Sequence, residues 1–367
     1  MKGKVAFMKA VRDIEIREYP LPDPDPGAIL TEVCRSNICG SDIHIWSGNH
    51  PIIKGDMVLG HETIARIAKL GAGVDKDYAG QPVKEGDRIV APYYLTCQKC
   101  PACLRGQFNL CYNAYTHLVK HPDVAPHFHG TLATHFYIHS NQYFYKVPDN
   151  VSDSVASSTN CAMSQVYFGI DESKLSEGEY LLIQGAGGLG LNATAIAKEK
   201  GAIVIVIDAV EDRLDLAKEF GASYTINLNE HQSVDERVNR VLEITGGVGA
   251  DVGMEVVGKG EAFNEGLQHL RPGGRYIELG IVTPSEMTTF SPAHIVRKGL
   301  TIIGAVRYQP WYLYKSLKFL EKYADKYPYE KFSERIYGLE EVSIAFEHAE
   351  QRVVARAAID PGKAGLS

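Results

Sequence analysis

The chain has 367 residues, 45% hydrophobic and 23% charged, with a net charge of −7. That length exceeds one ordinary compact core and predicts two domains, and the negative balance argues against nucleic acid or an anionic membrane as the main partner. The opening MKGKVAFMKAVRDIEIREYP carries a charge every few positions and no stretch approaches the roughly 18 apolar residues of a membrane span, so a cytoplasmic protein is expected.

Through about residue 150 the chain reads as short strands between turns. AILTEVCRSNICGSD, MVLGHETIARIAKLG and GDRIVAPYY carry strand signals, with PLPDPDPG and KEGD as turns. This texture predicts a β-rich domain built on hairpins. Its cysteines do not follow a disulfide framework: the chain has seven, and Cys97, Cys100, Cys103 and Cys111 crowd into one loop as C-x2-C-x2-C-x7-C. Four thiolates there would close a tetrahedral zinc site with no position for water or substrate, which makes it structural. Cys34, beside Val33 in a strand pattern, reads as a small buried hydrophobe. His117, His121, His127, His129, His135 and His139 fall within 23 residues. A histidine-rich tract can mark a further metal site; here it is read as polar loop and strand residues, one or two of them reaching substrate.

From about residue 177 the texture changes. SEGEYLLIQGAGGLGLNATAIAKEKGAIVIVIDAVEDRLDLAKEFGA reads as strand, glycine turn, helix, strand, helix. ADVGMEVVG, GRYIELGI and GLTIIGA read as further strands and GEAFNEGLQHL as a helix. Strands alternating with helices predict a doubly wound parallel sheet with right-handed crossovers. Directly after YLLIQ, Gly185, Gly187 and Gly190 form G-x-G-x-x-G, with Gly188 and Leu189 inside the motif. Gly185 makes the tight turn, Gly187 lets the backbone approach a pyrophosphate, and Gly190 lets helix and strand pack closely. The helix start then offers free N–H groups to the phosphates. Asp208 closes the next strand; its carboxylate can accept from both adenosine ribose hydroxyls and repels a 2′-phosphate. NAD is therefore expected over NADP, with nearby Arg213 softening the discrimination. Past residue 305, PWYLYKSLKFLEKYADKY reads as a helix and RVVARAAID as a short strand.

Cys39 in NICGSDIH, His61 in GHE and Cys161 in STNCAMSQ stand apart. Three such ligands plus water would make an open, catalytic zinc, but spacing alone leaves their grouping undetermined. CGSDIH, GHE, the four-cysteine lobe and GAGGLG with its downstream Asp, in that order over nearly the whole chain, resemble the zinc-dependent medium-chain alcohol dehydrogenases. That family includes sorbitol and threonine dehydrogenases.

The resemblance implies a GroES-like catalytic domain at 1–165, with its structural-zinc lobe at 95–112. A Rossmann coenzyme domain follows at 166–304, and 305–367 return to the catalytic domain, with the active site in the cleft. It implies two zinc ions per chain and NAD. Cys39, His61 and Cys161 would ligate the catalytic zinc, with Glu62 approaching or ligating it. Asp42 would orient the His61 ring. Ser41 would hydrogen-bond the substrate oxygen, and His44 would end a proton relay running from Ser41 through the nicotinamide ribose. Arg356 falls where a basic residue often touches the pyrophosphate. Two positions depart from the commoner pattern. Gly40 stands where some relatives place a pyrophosphate-binding Arg, and Gln165 stands where many place a Thr against the nicotinamide.

The implied reaction moves a hydride between an alcohol and NAD. A zinc-free quinone or enone reductase would lack the Cys39/His61 pair and the thiol lobe. A non-catalytic NAD-binding protein, the alternative of another class, would be expected to have lost Ser41, His44 or a zinc ligand. Trp46, Tyr93 and Tyr94 lie in neighbourhoods that border the substrate side of the catalytic zinc in the family. Aromatic walls favour a branched or cyclic secondary alcohol. A polyol or sugar, held through Gln165 and the histidines, is the alternative. The expected partners are a small-molecule alcohol or carbonyl compound and further copies of the chain, as dimer or tetramer, with no nucleic acid and no membrane.

Overall fold

The computed structural model describes residues 1–50, 55–332, 334–354 and 356–363. The chain forms two compact units, 1–161 with 309–325 and 329–367, and 162–308 with 326–328. The sequence-based boundaries at 165 and 304 thus lie four residues inside the second unit on either side. The C-terminal tail belongs to the first unit, because its last strand pairs there.

The first unit is built on antiparallel strands, apart from one parallel pair contributed by the tail. β1 (Lys2–Ala10), β2 (Asp13–Pro20) and β4 (Met57–Val58) form a three-stranded sheet. The larger sheet takes β3 (Ile29–Asn37), β5 (Glu62–Leu70), β6 (Arg88–Val90), β7 (His135–Ile138) and β8 (Tyr145–Lys146). It is completed by β15 (Glu334–Tyr337) and β16 (Arg356–Ile359) from the tail. β3 and β5 pair antiparallel with Asn37 opposite Glu62, and β16 adds on the other side of β3 with Ala358 opposite Asn37. Those two registers bring the residues just past β3, just before β5 and at the start of β16 together. AILTEVCRSNICGSD is not strand throughout: β3 stops at Asn37, and Gly40–Trp46 is a short helix. Asp42 sets its start by accepting from the Cys39 N–H, the N-cap arrangement that ends an extended run.

The second unit is a six-stranded, wholly parallel sheet. Its strands are β9 (Tyr180–Gln184), β10 (Ile203–Asp208), β11 (Tyr224–Asn227), β12 (Ala250–Glu255), β13 (Leu270–Glu278) and β14 (Thr301–Gly304), in the order β11-β10-β9-β12-β13-β14. This is the strand order of a Rossmann sheet, which switches direction beside its first strand. YLLIQ and IVIVID are almost continuously buried, as expected of central strands covered on both faces. Among the described residues no helix is long and apolar enough to cross a membrane.

Candidate functional site

In the second unit two of the three fingerprint glycines, Gly185 and Gly190, have a steric reason within the chain itself. Gly185 takes φ +107°, and a Cβ at Gly190 would sit 1.9 Å from the Gly185 carbonyl oxygen. A Cβ at Gly187 or Gly188 would meet no atom within 4 Å, so the loop leaves a cradle for a ligand. The helix Gly188–Glu199 starts there with no side-chain cap, leaving its first N–H groups free for phosphate. Leu189 lies in its first turn. Asp208 at the end of β10 accepts from Ala186 N at 2.7 Å and Val210 N at 2.9 Å, one bond on each oxygen. A carboxylate oxygen has two acceptor sites, so one on each remains for ribose hydroxyls. These features fit a dinucleotide. Arg213 is exposed on the following helix Glu211–Glu219, and Gln165 donates to the Ala305 carbonyl at 3.2 Å.

In the first unit the dispersed residues converge. Ligand atoms of Cys39, His61, Glu62 and Cys161 all lie within 4.8 Å of one another. Cys39 precedes the helix Gly40–Trp46, and His61 immediately precedes β5. Cys161 sits in the π-helical turn Thr159–Met163, a geometry common at functional sites because it re-aims a side chain. Asn160 anchors that turn by donating to the carbonyls of His61 at 2.8 Å and Ala91 at 2.9 Å. Asp42 accepts from the backbone of Cys39 and Gly60 and lies 3.2 Å from His61 Nδ1. A carboxylate only accepts, so Nδ1 carries the proton and Nε2 is left for a metal.

The charge state fits a cation. Cys39 is held well below the usual thiol range, first by a hydrogen bond from Cys161 and then by His61, against the opposing effect of burial. Cys161 is pushed well above it by Cys39 and by burial. Two sulfurs and an imidazole gathered at one point are the soft donor set that zinc prefers. Glu62 is buried, and burial lifts its carboxyl to about 7 against the pull of Arg356. Arg356 Nη2 lies 2.5 Å from Glu62 Oε2, and Asn37 Nδ2 donates to the same oxygen at 3.2 Å. The structure gives Arg356 this carboxylate as its partner.

The second cysteine group, Cys97, Cys100, Cys103 and Cys111, also has its sulfurs within 4.8 Å of one another. Cys97 N points at Cys111 Sγ and Cys100 N at Cys97 Sγ, both at 3.3 Å. Burial raises the Cys97 thiol, but hydrogen bonds from Asn113 and the Lys99 and Cys100 amides outweigh it and hold it at about 6. Cys34 is half-buried on β3, and burial lifts its thiol to about 11.

Ser41, half-buried, and His44, exposed, lie three residues apart on the helix Gly40–Trp46, so they share one face. The expectation that Trp46 lines a substrate pocket is corrected. Its side chain is 2% exposed and sits in the core, 5.3 Å from Phe346 and under the Arg12 guanidinium at 4.5 Å. Tyr94 is buried as well. Tyr93 is the aromatic residue that faces the candidate centre, its ring edge-on to His61 at 5.0 Å. Asn37 and Asn160 were not foreseen. Their proximity to Cys39 and Cys161 in sequence was the available signal, but their bonds depend on strand register.

Residues 25–149 match the alcohol dehydrogenase GroES-like domain, and residues 188–322 match the zinc-binding dehydrogenase family. The chain is 32% identical to 5-exo-hydroxycamphor dehydrogenase of Pseudomonas putida, with 98% of each covered. It is also 32% identical to sorbitol dehydrogenase of Bacillus subtilis, over 86% of this chain and 85% of that one. A crystal structure of an alcohol dehydrogenase from Thermotoga maritima superposes with a TM-score of 0.89 at 29% identity, covering 98% of this chain and 99% of the other.

Proposed function

Since the chain belongs to the zinc-dependent medium-chain alcohol dehydrogenases and is an oxidoreductase acting between alcohols and carbonyl compounds, we propose that it holds two zinc ions, prefers NAD, and oxidises a branched or cyclic secondary alcohol reversibly to the ketone. The convergence of Cys39, His61 and Cys161 on one point carries this reading. These three would hold the catalytic zinc, with Glu62 alongside, and Cys97, Cys100, Cys103 and Cys111 the structural one. When bound, zinc supplies Lewis acidity to the alcohol oxygen, and the nicotinamide accepts hydride. The chain's residues do the rest. Asp42 fixes the His61 ring, Asn160 holds the turn that carries Cys161, and Ser41 accepts the substrate proton as it releases its own toward the nicotinamide ribose, from which His44 passes it to solvent. The glycine loop through Gly185, Gly187, Gly188, Leu189 and Gly190 takes the pyrophosphate, and Asp208 takes the ribose. Zinc analysis together with absorbance growth near 340 nm, using NAD and a panel of secondary alcohols, tests the whole reading. One zinc or none in carefully prepared protein, or no turnover on the panel, would overturn it.

Ser41→Ala is expected to lower kcat by about 10²–10⁴-fold, the range for a positioned proton-transfer group, with less effect on KM. His44→Ala should be milder because water can replace the outer end of the relay. An unchanged kcat across pH for the Ser41 variant removes that residue from the relay.

The coenzyme preference rests on Asp208. Losing two charge-assisted bonds, each about 1.5–3 kcal/mol, should cut kcat/KM with NAD at least tenfold in Asp208→Ser and raise the relative use of NADP. Higher kcat/KM with NADP than with NAD in the unaltered enzyme would refute this assignment.

The name of the Pseudomonas relative describes a hydroxyl on a bicyclic ketone, and Tyr93 offers an aromatic wall beside His61; both support a cyclic secondary alcohol. A polyol or sugar is the second reading, favoured by the Bacillus relative and by three histidines grouped beyond Tyr93.

A further inference from the structure

The six histidines of the 117–139 tract separate into two groups. His121 and His127 lie within bonding distance of the nearby backbone, the latter also stacked on Tyr19, and His135 bonds Thr134. His117, His129 and His139 instead line a cavity in the first unit together with Tyr93, Tyr94 and Gln142. His129 is 3% exposed, and its Nε2 lies 2.8 Å from the Val124 carbonyl oxygen. A carbonyl only accepts, so Nε2 carries the proton and Nδ1 is a bare acceptor. That Nδ1 is buried with no hydrogen-bond partner, and so is Nδ1 of His117. Buried polar atoms in folded proteins nearly always find a partner, so these two mark where a ligand atom belongs.

The chemistry of the cavity limits what that ligand is. Burial pushes His129 down to about 4 and His139 to about 3, and lowers His117 too. The rings of His117 and His139 stack at 3.6 Å and 17°, an arrangement suited to two neutral imidazoles. The bare His129 Nδ1 repels an anion's lone pairs, so a carboxylate or phosphate does not fit against it. Nearly parallel rings do not converge their lone pairs on one point, and among the described residues these histidines form no metal-sized cluster. A neutral O–H donor fits. The space is about 20 Å³ for the centre of a water-sized group, room for one hydroxyl and not for a whole sugar.

Tyr93 connects this cavity with the metal-ligand cluster, because the same ring lines the cavity and packs on His61. We propose that the cavity is a subsite for a second hydroxyl of the substrate, which donates to His129 Nδ1 while the reacting hydroxyl lies past the edge of the Tyr93 ring, toward His61. The preferred substrate class is then a cyclic diol or a comparable polyhydroxylated secondary alcohol. This inference rests on the reading of Cys39, His61 and Cys161 as the place where the reacting hydroxyl binds.

The test compares kcat/KM for cyclohexanol with that for the cyclohexane-1,2-, -1,3- and -1,4-diols. At least one diol should exceed cyclohexanol by about tenfold or more, because a site built to bond a hydroxyl discriminates against the analogue lacking it. His129→Leu should collapse that ratio, and His129→Asn, which keeps an acceptor, should restore part of it. No diol advantage, or an advantage that survives His129→Leu, overturns the subsite. Oxidation of cyclohexanol without any diol preference would leave the dehydrogenase reading standing and remove only this one. Independently of turnover and of the variants' folding, nitrogen NMR of histidine-labelled wild-type holoenzyme should show the His129 Nδ1 resonance move on adding the preferred diol and stay still with cyclohexanol. A resonance that none of the diols moves, as when an ordered water holds the site permanently, overturns the proposal.

Discussion

His61→Ala is expected to abolish alcohol oxidation while leaving the fold largely intact. His61 lies at the start of β5, and its ring is held by Asp42 at 3.2 Å and flanked by Tyr93. Removing a mere outer partner of a metal ligand typically costs about 10–100-fold in affinity or activity, so removing the ligand itself should exceed about 100-fold. The two cysteines that remain leave the metal one ligand short of the three an open zinc site takes from protein. The variant should lose one zinc and keep the other. Its thermal transition should fall little, because the strands that carry the site are held by the β3–β5 and β16–β3 ladders rather than by the metal. Steady-state kinetics, metal content and a melting curve check this together. Turnover within tenfold of the unaltered enzyme, with two zincs still bound, would remove His61 from the metal centre.

Cys103→Ser should act on the other centre and on stability. Cys103 is buried in the short helix Pro101–Leu104, and burial with its cysteine neighbours lifts its thiol to about 12 while Cys97 is held at about 6. Four sulfurs with such opposed tendencies are reconciled by a cation that all four can ligate as thiolates. Closed zinc sites contribute on the order of 10 kcal/mol to the folding of small domains. Here the lobe is only one loop, tied at its base by Leu95 N to the Ala114 carbonyl at 3.0 Å. A smaller share, roughly 3 kcal/mol, is therefore expected. At about 2–4 °C per kcal/mol for a unit of this size, the melting temperature should drop on the order of 10 °C. Zinc content should fall by one ion. Retention of both zincs, or an unchanged melting temperature, would show that the lobe does not hold a structural metal through Cys103.

The coenzyme unit was legible because its signals are local. YLLIQ, GAGGLG and IVIVID determine a strand, a turn that only glycines can make, a helix start and a strand-end carboxylate within one stretch of chain. The four-residue β11 (Tyr224–Asn227) went unnamed because YTIN is too short to show a period. The helix Val234–Ile244 went unnamed too, despite the Ser233–Glu236 capping box that starts it. The four-cysteine lobe was equally local. The second centre was not: Cys39, His61 and Cys161 became a site through resemblance, since their spacing carries no geometry. What joins them is the antiparallel register that sets Asn37 opposite Glu62, and a π-helical turn pinned by Asn160.

By itself, then, the sequence determined the two-unit organisation, the parallel sheet, the glycine turn that opens its first helix and the four-cysteine loop, because each depends on residues close together along the chain. Only the tertiary structure decided that Trp46 belongs to the core and Tyr93 to the centre, that Arg356 meets Glu62, and that three of six histidines surround one cavity. Those facts depend on strand register and on which face of a helix meets the core. A side chain's direction there is set by partners that lie hundreds of residues away in the chain, as Phe346 does from Trp46 and Arg356 from Glu62, and no local pattern encodes them.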